Sequence, residues 1–396
     1  RLVGSEMCIR DRYRFIVLAL LYFWAVANVD DSMMSIGLYV AIPSAFILSF
    51  RCATTNLYSD KSFKIFTLFL LWILFTWLGA DDVSIATRQM KRFFGVFLMS
   101  GTVCNLATDK RNIPWLYGLY VVLFIVALNY ARTHILIANF DIMHDRLDDD
   151  RLNANVLANY TFYATFSLFV LGNIICKEIY KKVFRLLFLM MIPLSFVIAI
   201  FTASRQVLLV QTPIICVLLY IRYVKGVSMR TKIGFIVVVC LVVSMFINPI
   251  TEIYDNSFLK QRSENSIQDD GRFKVLNEAI DVGCQNLFVG VGPGNFILHS
   301  SQHIFSHCSY TEAFANTGIM GLILYLYLIG NFLKNQWKYY RMTKETVYLT
   351  FLSFGIIYVF YNFFYVFYSD LWLMSFFLFV VHHSNTVWKN QLNSDT

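Results

Sequence analysis

The chain has 396 residues, of which 58% are hydrophobic and only 15% are charged, and its mean hydropathy is +0.58. This composition excludes an ordinary soluble domain and a disordered chain, and it predicts an integral membrane protein. The formal net charge is +8. Because the basic residues are spread over several short segments, the charge indicates membrane topology and argues against nucleic-acid binding.

Apolar stretches that are long enough to cross a hydrocarbon core recur along the chain; a crossing takes about 20 helical residues. We therefore predict an all-α membrane protein with about 12 transmembrane helices and a long, partly helical outer loop. The predicted spans are centred on residues 15–29, 33–50, 65–80, 93–107, 113–131, 156–175, 186–202, 206–220, 233–250, 318–332, 347–365 and 371–381. The first nine lie within 13–250 and the last three within 309–385, with the outer loop at 251–308 between them.

Charge placement predicts the orientation of these spans. Residues 1–12 have neither the apolar core nor the cleavage site of a secretory signal, so we expect a non-native or fragment end and leave them out of the predicted fold. Loops rich in Lys and Arg remain in the cytoplasm, which puts both termini there, including a tail at 386–396. The inner basic clusters are then Arg51/Lys61/Lys64, Lys110/Arg111, Lys177/Lys181/Lys182/Arg185, Arg222/Lys225/Arg230/Lys232 and Lys334/Lys338/Arg341/Lys344.

Two outer segments, 132–155 and 251–308, are too long to be simple turns, and long connections are uncommon unless they are functional. Within the second, SIQDDGRFKVLNEAIDVG predicts a helix, with apolar residues at Phe273, Leu276 and Ile280 before a glycine that ends it. The same loop carries Cys284 and Cys308. A disulfide between these two in an oxidising compartment and a pair of free thiols both fit the sequence.

Histidines recur every four residues at His299, His303 and His307. On a helix this spacing would place them on one face as a metal site, but Pro293 and the glycines of GVGPGNF favour a loop for the first part. A single histidine acting as a general base is the second interpretation, and ordinary surface histidines are the third. His307 is the best placed for catalysis, because it lies next to the predicted membrane surface.

Arginines form the second group of candidates. The predicted topology places Arg88, Arg205 and Arg272 on the outer side of the membrane, and Lys91 and Arg92 lie close to Arg88 in the sequence. An arginine beside a span is often an interfacial anchor. Guanidinium groups also bind phosphate oxygens bidentately, which would suit a lipid diphosphate.

Several motifs occur in a characteristic order: RLNANVLANY, TASRQ, DDGRFKVLNEAI, VGVGPGNF and SHCSYTEAFANTGIMG. Together they resemble the O-antigen ligase and polymerase superfamily, the Wzy and WaaL type proteins of bacterial surface polysaccharide assembly, over about residues 151–330. The resemblance implies a membrane glycosyltransferase of GT-C-like architecture in the bacterial inner membrane, with its active site on the outer side.

The resemblance also assigns roles to individual residues. Arg205 and Arg272 match the positions that hold the diphosphate of an undecaprenyl-linked glycan, and Arg88 is a looser match. His307 matches the proposed catalytic base, and Glu312 could orient that histidine, act as the base itself or simply begin a helix. Two positions depart from the family, with Cys308 where asparagine is usual and Asn316 where an acidic residue is common.

The resemblance implies glycosyl transfer without a metal or another cofactor. We predict a polymerase of lipid-linked repeat units, acting beside a flippase and a chain-length regulator. A ligase to lipid A core and an oligosaccharyltransferase to protein share the same motifs. A carrier with about 12 spans is the alternative from another class, although the predicted spans have little interior charge. A membrane scaffold without activity is a further alternative.

Overall fold

The computed structural model of the protein describes residues 2–28, 31–137, 154–204, 207–228 and 271–394, together with residues 152, 233, 255 and 260. Every regular element in these ranges is helical. The α-helices are α1 (Leu2–Ala27), α2 (Asp31–Ile36), α3 (Ile42–Cys52), α4 (Lys61–Trp77), α5 (Val83–Ala107), α6 (Ile113–Ile137), α7 (Ala154–Ile174), α8 (Glu178–Thr202), α9 (Thr212–Leu219), α10 (Gly271–Gln285), α11 (Phe296–His299), α12 (Ser309–Thr343), α13 (Thr346–Tyr361) and α14 (Leu371–Ser394). Short π-helical turns precede α3 and flank α9.

The predicted spans fall on these helices, apart from the one at 233–250, which lies outside the described residues except for Ile233. Residues 2–12, left out of the predicted fold, are the first turns of α1. Five stretches in the described part are long and apolar enough to cross a membrane: Met33–Cys52, Lys110–Thr133, Ala154–Ile174, Glu178–Thr202 and Ser309–Thr343. Shorter apolar helices cover Leu209–Val224 and Thr346–Tyr361. For the described residues, an all-helical membrane protein is therefore confirmed, whereas about 12 spans stay a prediction.

The chain divides into two compact units. The first comprises Arg1–Val122 and Ile267–Thr396, and the second comprises Leu123–Ser266. In the first unit, α5 packs along α14, and α12 packs against α4, α10 and α13. In the second unit, α7 and α8 pack side by side, and Phe169 meets Phe188 with ring centroids 5.4 Å apart.

A buried ion pair joins the start of α4 to α14. Asp60 begins α4 by accepting a hydrogen bond from the backbone N–H of Ser62 at 2.9 Å. Its second oxygen lies 2.9 Å from Nδ1 of His382, and both side chains are buried. Burial opposes ionisation of Asp60, but the hydrogen bond and charge of His382, together with hydrogen bonds from Ser62 and Asn385, lower the pKa of the carboxyl. The sequence analysis did not anticipate this contact.

Helix α12 is interrupted at Gly318, whose φ of 67° and ψ of −172° are not helical. The break frees carbonyl groups that a continuous helix would satisfy internally. The backbone N–H groups of Val291 and Gly292 donate to the carbonyls of Ala315 and Asn316 at 3.0 Å each. The segment that precedes α11 therefore crosses the break in α12 and donates hydrogen bonds to the carbonyl groups that the break leaves free.

The helix predicted in the outer loop is present as α10, but two details of the prediction were wrong. Phe273 is half exposed, while the buried face consists of Val275, Ala279 and Val282, which pack in one cluster with residues of the following segment. The predicted stop, Gly283, lies inside the helix. A β-carbon there would lie 2.4 Å from the ring of Phe314, so this glycine permits close packing of α10 on α12.

Candidate active site

A cavity of about 400 Å³ opens within the first unit. Its walls come from α5, the segment 293–305, the beginning of α12 and the connection between α13 and α14. Its polar lining includes Arg88, Gln89, Arg92, Glu312, Asn316 and Asp370. Phe93, Phe305, Tyr365 and Tyr368 supply aromatic surface. A cavity of this size that combines convergent polar groups with apolar and aromatic surface is typical of a ligand site.

The basic wall belongs to the first part of α5. Asp82 caps this helix by accepting hydrogen bonds from the backbone of Ser84 at 2.7 Å and of Ile85 at 3.1 Å. The Ser84 side chain and these backbone groups lower the pKa of Asp82. Arg88 and Arg92 follow one helical turn apart, so both face the cavity. Neither makes an ion pair within the described ranges, which leaves both guanidinium groups available to an anionic ligand.

The connection between α13 and α14 contributes to the lining an aspartate that the sequence analysis missed. Asp370 caps α14, because its Oδ1 accepts hydrogen bonds from the backbone N–H groups of Trp372 and Leu373 at 3.0 Å each. Tyr365 donates its hydroxyl to Oδ2 at 3.4 Å. Burial raises the pKa of Asp370 to about 6 in spite of these hydrogen bonds. In the sequence, the motif SDLWLM around this aspartate indicates only the start of a helix before a predicted span.

Glu312 and Asn316 form the buried floor of the cavity, one turn apart on α12. The amide of Asn316 donates to Oε1 of Glu312 at 2.8 Å, and its own oxygen accepts the backbone N–H of Phe296 at 2.9 Å. Glu312 Oε2 accepts the backbone N–H of Ser306 at 2.7 Å. The floor is therefore bonded both to the segment that leads into α11 and to the turn before α12.

His307 lies in that turn, with φ at 57°. A non-glycine residue in this left-handed region is uncommon and often marks a functional site. The imidazole packs on Phe305 with ring centroids 4.2 Å apart, and Phe305 lines the cavity. The predicted base is thus held next to the cavity by a ring that forms part of its wall.

The other two histidines do not share a helical face with His307. His299 is the last residue of α11, and its Nε2 lies 2.7 Å from Oδ2 of Asp81. His303 lies in the loop that follows and also has a positive φ, of 53°. The three histidines therefore do not form the single helical face that the metal-site interpretation requires. Within the described part of the chain, no three His, Cys, Asp or Glu side chains are grouped to hold a metal ion.

The other two predicted arginines, Arg272 and Arg205, stand differently in the structure. Arg272 lies partly buried in the first turn of α10 and is not among the lining residues. Arg205 lies outside the described residues. Of the five predicted site residues, the structure thus places Arg88 and Glu312 in the cavity wall and His307 beside it.

The loop cysteines and glycines have structural explanations. Cys284 is exposed, Cys308 is buried, and both are free thiols. The glycines of GVGPGNF were predicted to favour a loop. A β-carbon on Gly290 would lie 2.5 Å from the backbone of Asn316, and one on Gly292 would lie 2.4 Å from Ala80. These two glycines therefore permit close approach of the chain to its own neighbours.

Fold and cavity together define a helical membrane protein with a cavity that is lined by two arginines and two carboxylates. The model of the protein family described as O-antigen ligase matches residues 186–326. This match supports the resemblance to the O-antigen ligase and polymerase superfamily that the motifs show. No curated protein matches the chain. The matched segment contains His307 and Glu312, whereas Arg88 and Asp370 lie outside it.

Proposed function

We propose that the protein is a polymerase of lipid-linked oligosaccharide repeat units. The observation that carries the proposal is the cavity itself, in which Arg88 and Arg92 lie on one wall, with Glu312 and Asp370 also in the lining and His307 beside it. The family match agrees with polysaccharide assembly as the general role. The donor is an undecaprenyl-diphosphate-linked oligosaccharide, and the acceptor is a sugar hydroxyl of a second unit.

The arginines bind the donor in this proposal. Guanidinium groups remain charged at every relevant pH, and each can donate two hydrogen bonds to the oxygens of a phosphate. Arg88 and Arg92 contact the diphosphate from the cavity wall, and Arg205 and Arg272 contribute as the motif resemblance implies. Their charge stabilises the negative charge that builds up on the departing diphosphate.

His307 is the general base. As the acceptor hydroxyl attacks the anomeric carbon, the new C–O bond forms, the bond from that carbon to the diphosphate oxygen breaks, and the hydroxyl proton passes to His307. Glu312 has the alternative roles of orienting this histidine or acting as the base. General-base catalysis of this kind contributes about 100-fold to 10,000-fold to a rate. The departing diphosphate is a good leaving group, so the proposed reaction uses neither a metal nor another cofactor.

The proposed setting is the bacterial inner membrane, with about 12 spans in a GT-C-like architecture. Both termini are cytoplasmic and the cavity faces the outer side. A flippase that delivers the donor and a chain-length regulator are the expected protein partners.

A ligase that transfers the glycan to lipid A core is the second candidate. The matching family model is itself described as an O-antigen ligase, which favours this candidate on sequence grounds. The same cavity chemistry serves both reactions, because they differ only in the acceptor that supplies the hydroxyl.

The test is a reconstituted transfer reaction with the purified protein and a lipid-diphosphate-linked oligosaccharide, followed on gels, with lipid A core added in a parallel reaction. A ladder of longer glycans without added core supports the polymerase. A single shift that requires core identifies the ligase instead. If neither product forms with a matching repeat unit, the proposed activity is wrong, and uptake of the lipid-linked glycan into vesicles then tests the carrier.

A further inference from the structure

Asn316 is a residue to which the proposed reaction assigns no role. It is 2% exposed, and its side chain makes two hydrogen bonds of opposite sense, donating to Glu312 and accepting from the backbone of Phe296. Its backbone carbonyl accepts a third bond, from Gly292. One residue on α12 thus contacts both ends of the segment 292–296, which includes the Pro293 and Gly294 wall of the cavity.

Glu312 extends this contact to the turn that contains His307. It accepts the Asn316 amide with Oε1 and the backbone N–H of Ser306 with Oε2, at 2.8 Å and 2.7 Å. The side chain of Ser306 also bonds within the turn, donating to the carbonyl of Cys308 at 3.1 Å. A continuous chain of hydrogen bonds therefore runs from the Phe296 backbone through the two α12 side chains to the residue before His307.

The left-handed backbone of His307 makes such a support necessary. For a residue with a β-carbon this conformation is unfavourable, and it persists only where the surroundings fix it. Ser306 is fixed on one side by Glu312, and Ser309 is fixed on the other by the carbonyl of Asn362 at 2.8 Å. His307 is between these two anchored residues.

We infer that Asn316 and Glu312 act as an amide–carboxylate clamp that positions the His307 turn against the cavity. Asn316 is a positioning residue in this inference, and Glu312 acts through its hydrogen bonds. The catalytic part of the inference rests on the proposed function, whereas the structural part stands without it.

The donor and acceptor pattern of the clamp gives a specific test. Asn316→Asp places two carboxylates against each other, and Glu312→Gln leaves an amide donor facing another donor. In the double variant Asn316→Asp/Glu312→Gln, the amide of residue 312 donates to the carboxylate at 316. The remaining oxygens still accept the N–H groups of Ser306 and Phe296, so the whole pattern is restored with the same net charge.

Cys308 provides a readout that does not depend on activity, because its thiol is buried directly after His307. The full-length protein in detergent is treated with a thiol reagent, and labelling of Cys308 is measured by peptide mass spectrometry. Exposed Cys284 is the internal reference. Loss of one buried hydrogen bond should destabilise the turn enough for the rate of Cys308 labelling to rise about tenfold in each single variant. The double variant should return close to the wild-type rate.

Glycan transfer by the same three variants then tests the catalytic part. Each single change should lower kcat with little change in KM for the donor, and the double variant should recover kcat. Unchanged labelling in the single variants overturns the clamp, whatever the activity. If the double variant has the wild-type labelling rate but still transfers no glycan, the purely positioning role is wrong and Glu312 is the base. A wild type that transfers no glycan refutes the proposed function alone, since the labelling result still decides the clamp.

Discussion

Val291 donates its backbone N–H to the carbonyl of Ala315 at 3.0 Å, a bond that Ile319 would make if α12 were continuous. Ile319 instead donates to the carbonyl of Leu287 at 2.7 Å. These two hydrogen bonds hold the segment after α10 against the interrupted helix α12. This arrangement fixes the cavity floor, because Glu312 and Asn316 lie in the turns just before the break.

Gly318→Ala is expected to destabilise the protein strongly. The backbone of Gly318 lies in a region that is essentially restricted to glycine, where strain alone costs roughly 1–3 kcal/mol. A β-carbon would also lie 2.3 Å from the carbonyl oxygen of Phe288. Thermal unfolding in detergent measures the loss. Gly330→Ala in the same helix is the matched control, because nothing lies within 4 Å of that position.

The control should be neutral or slightly stabilising, since alanine is favoured over glycine in a helix interior by about 0.5–1 kcal/mol. Equal unfolding temperatures for Gly318→Ala and the wild type would show that the break in α12 has no structural importance.

His307→Asn is expected to abolish most glycan transfer. Asparagine tolerates the left-handed backbone, so the change removes the imidazole and leaves the turn intact. If His307 is the general base, the rate of transfer should fall about 100-fold to 10,000-fold. Single-turnover transfer at saturating donor measures this rate.

His303→Asn is the matched control, because this exposed histidine also has a positive φ and lies in the same loop. It should retain wild-type transfer. Equal losses in the two variants would point to an effect on the loop and would contradict a specific role for His307.

Arg88→Gln and Arg92→Gln are expected to weaken donor binding. Each arginine contributes charge-assisted hydrogen bonds to the diphosphate, so each change should raise KM for the donor about tenfold or more. Lys91→Gln removes a neighbouring positive charge that does not line the cavity, and it should have little effect. A similar rise in KM for all three variants would indicate that only the overall charge of this face matters.

The contribution of Asp370 to the stability of the protein should decrease as the pH rises from about 4 to about 7. Its pKa is raised from 3.8 to about 6 in the folded state, where burial favours the neutral carboxyl. A group of this kind contributes stability that is fully present below its unfolded pKa and is lost as the pH passes its folded pKa. Asp370→Asn keeps an acceptor for the N–H groups of Trp372 and Leu373 but cannot ionise.

Thermal unfolding across this pH range measures the effect of Asp370. The wild-type unfolding temperature should fall relative to that of Asp370→Asn as the pH rises. A constant difference between the two proteins at all pH values would contradict the raised pKa.

Much of this protein follows from local sequence. The apolar runs predicted the helices, because a chain in a hydrocarbon core must satisfy its backbone groups internally. The same approach identified α10, the chemistry of the side chains selected Arg88 and His307 as candidates, and the family resemblance added Glu312. The resemblance to the superfamily followed from the order of short motifs, and the family match at residues 186–326 then supported it.

Other features depend on contacts between residues far apart in the chain. The buried face of α10 is formed by Val275 and Ala279, because small side chains allow close packing on α12, whereas periodicity suggested Phe273. Asp370 looked like a simple helix cap until its hydrogen bond with Tyr365 and its place in the cavity were seen. Local composition was enough to predict which segments are helical and which side chains can do chemistry. Which of those side chains meet depends on the tertiary fold, because the crossing at Gly318 joins segments that no local pattern connects.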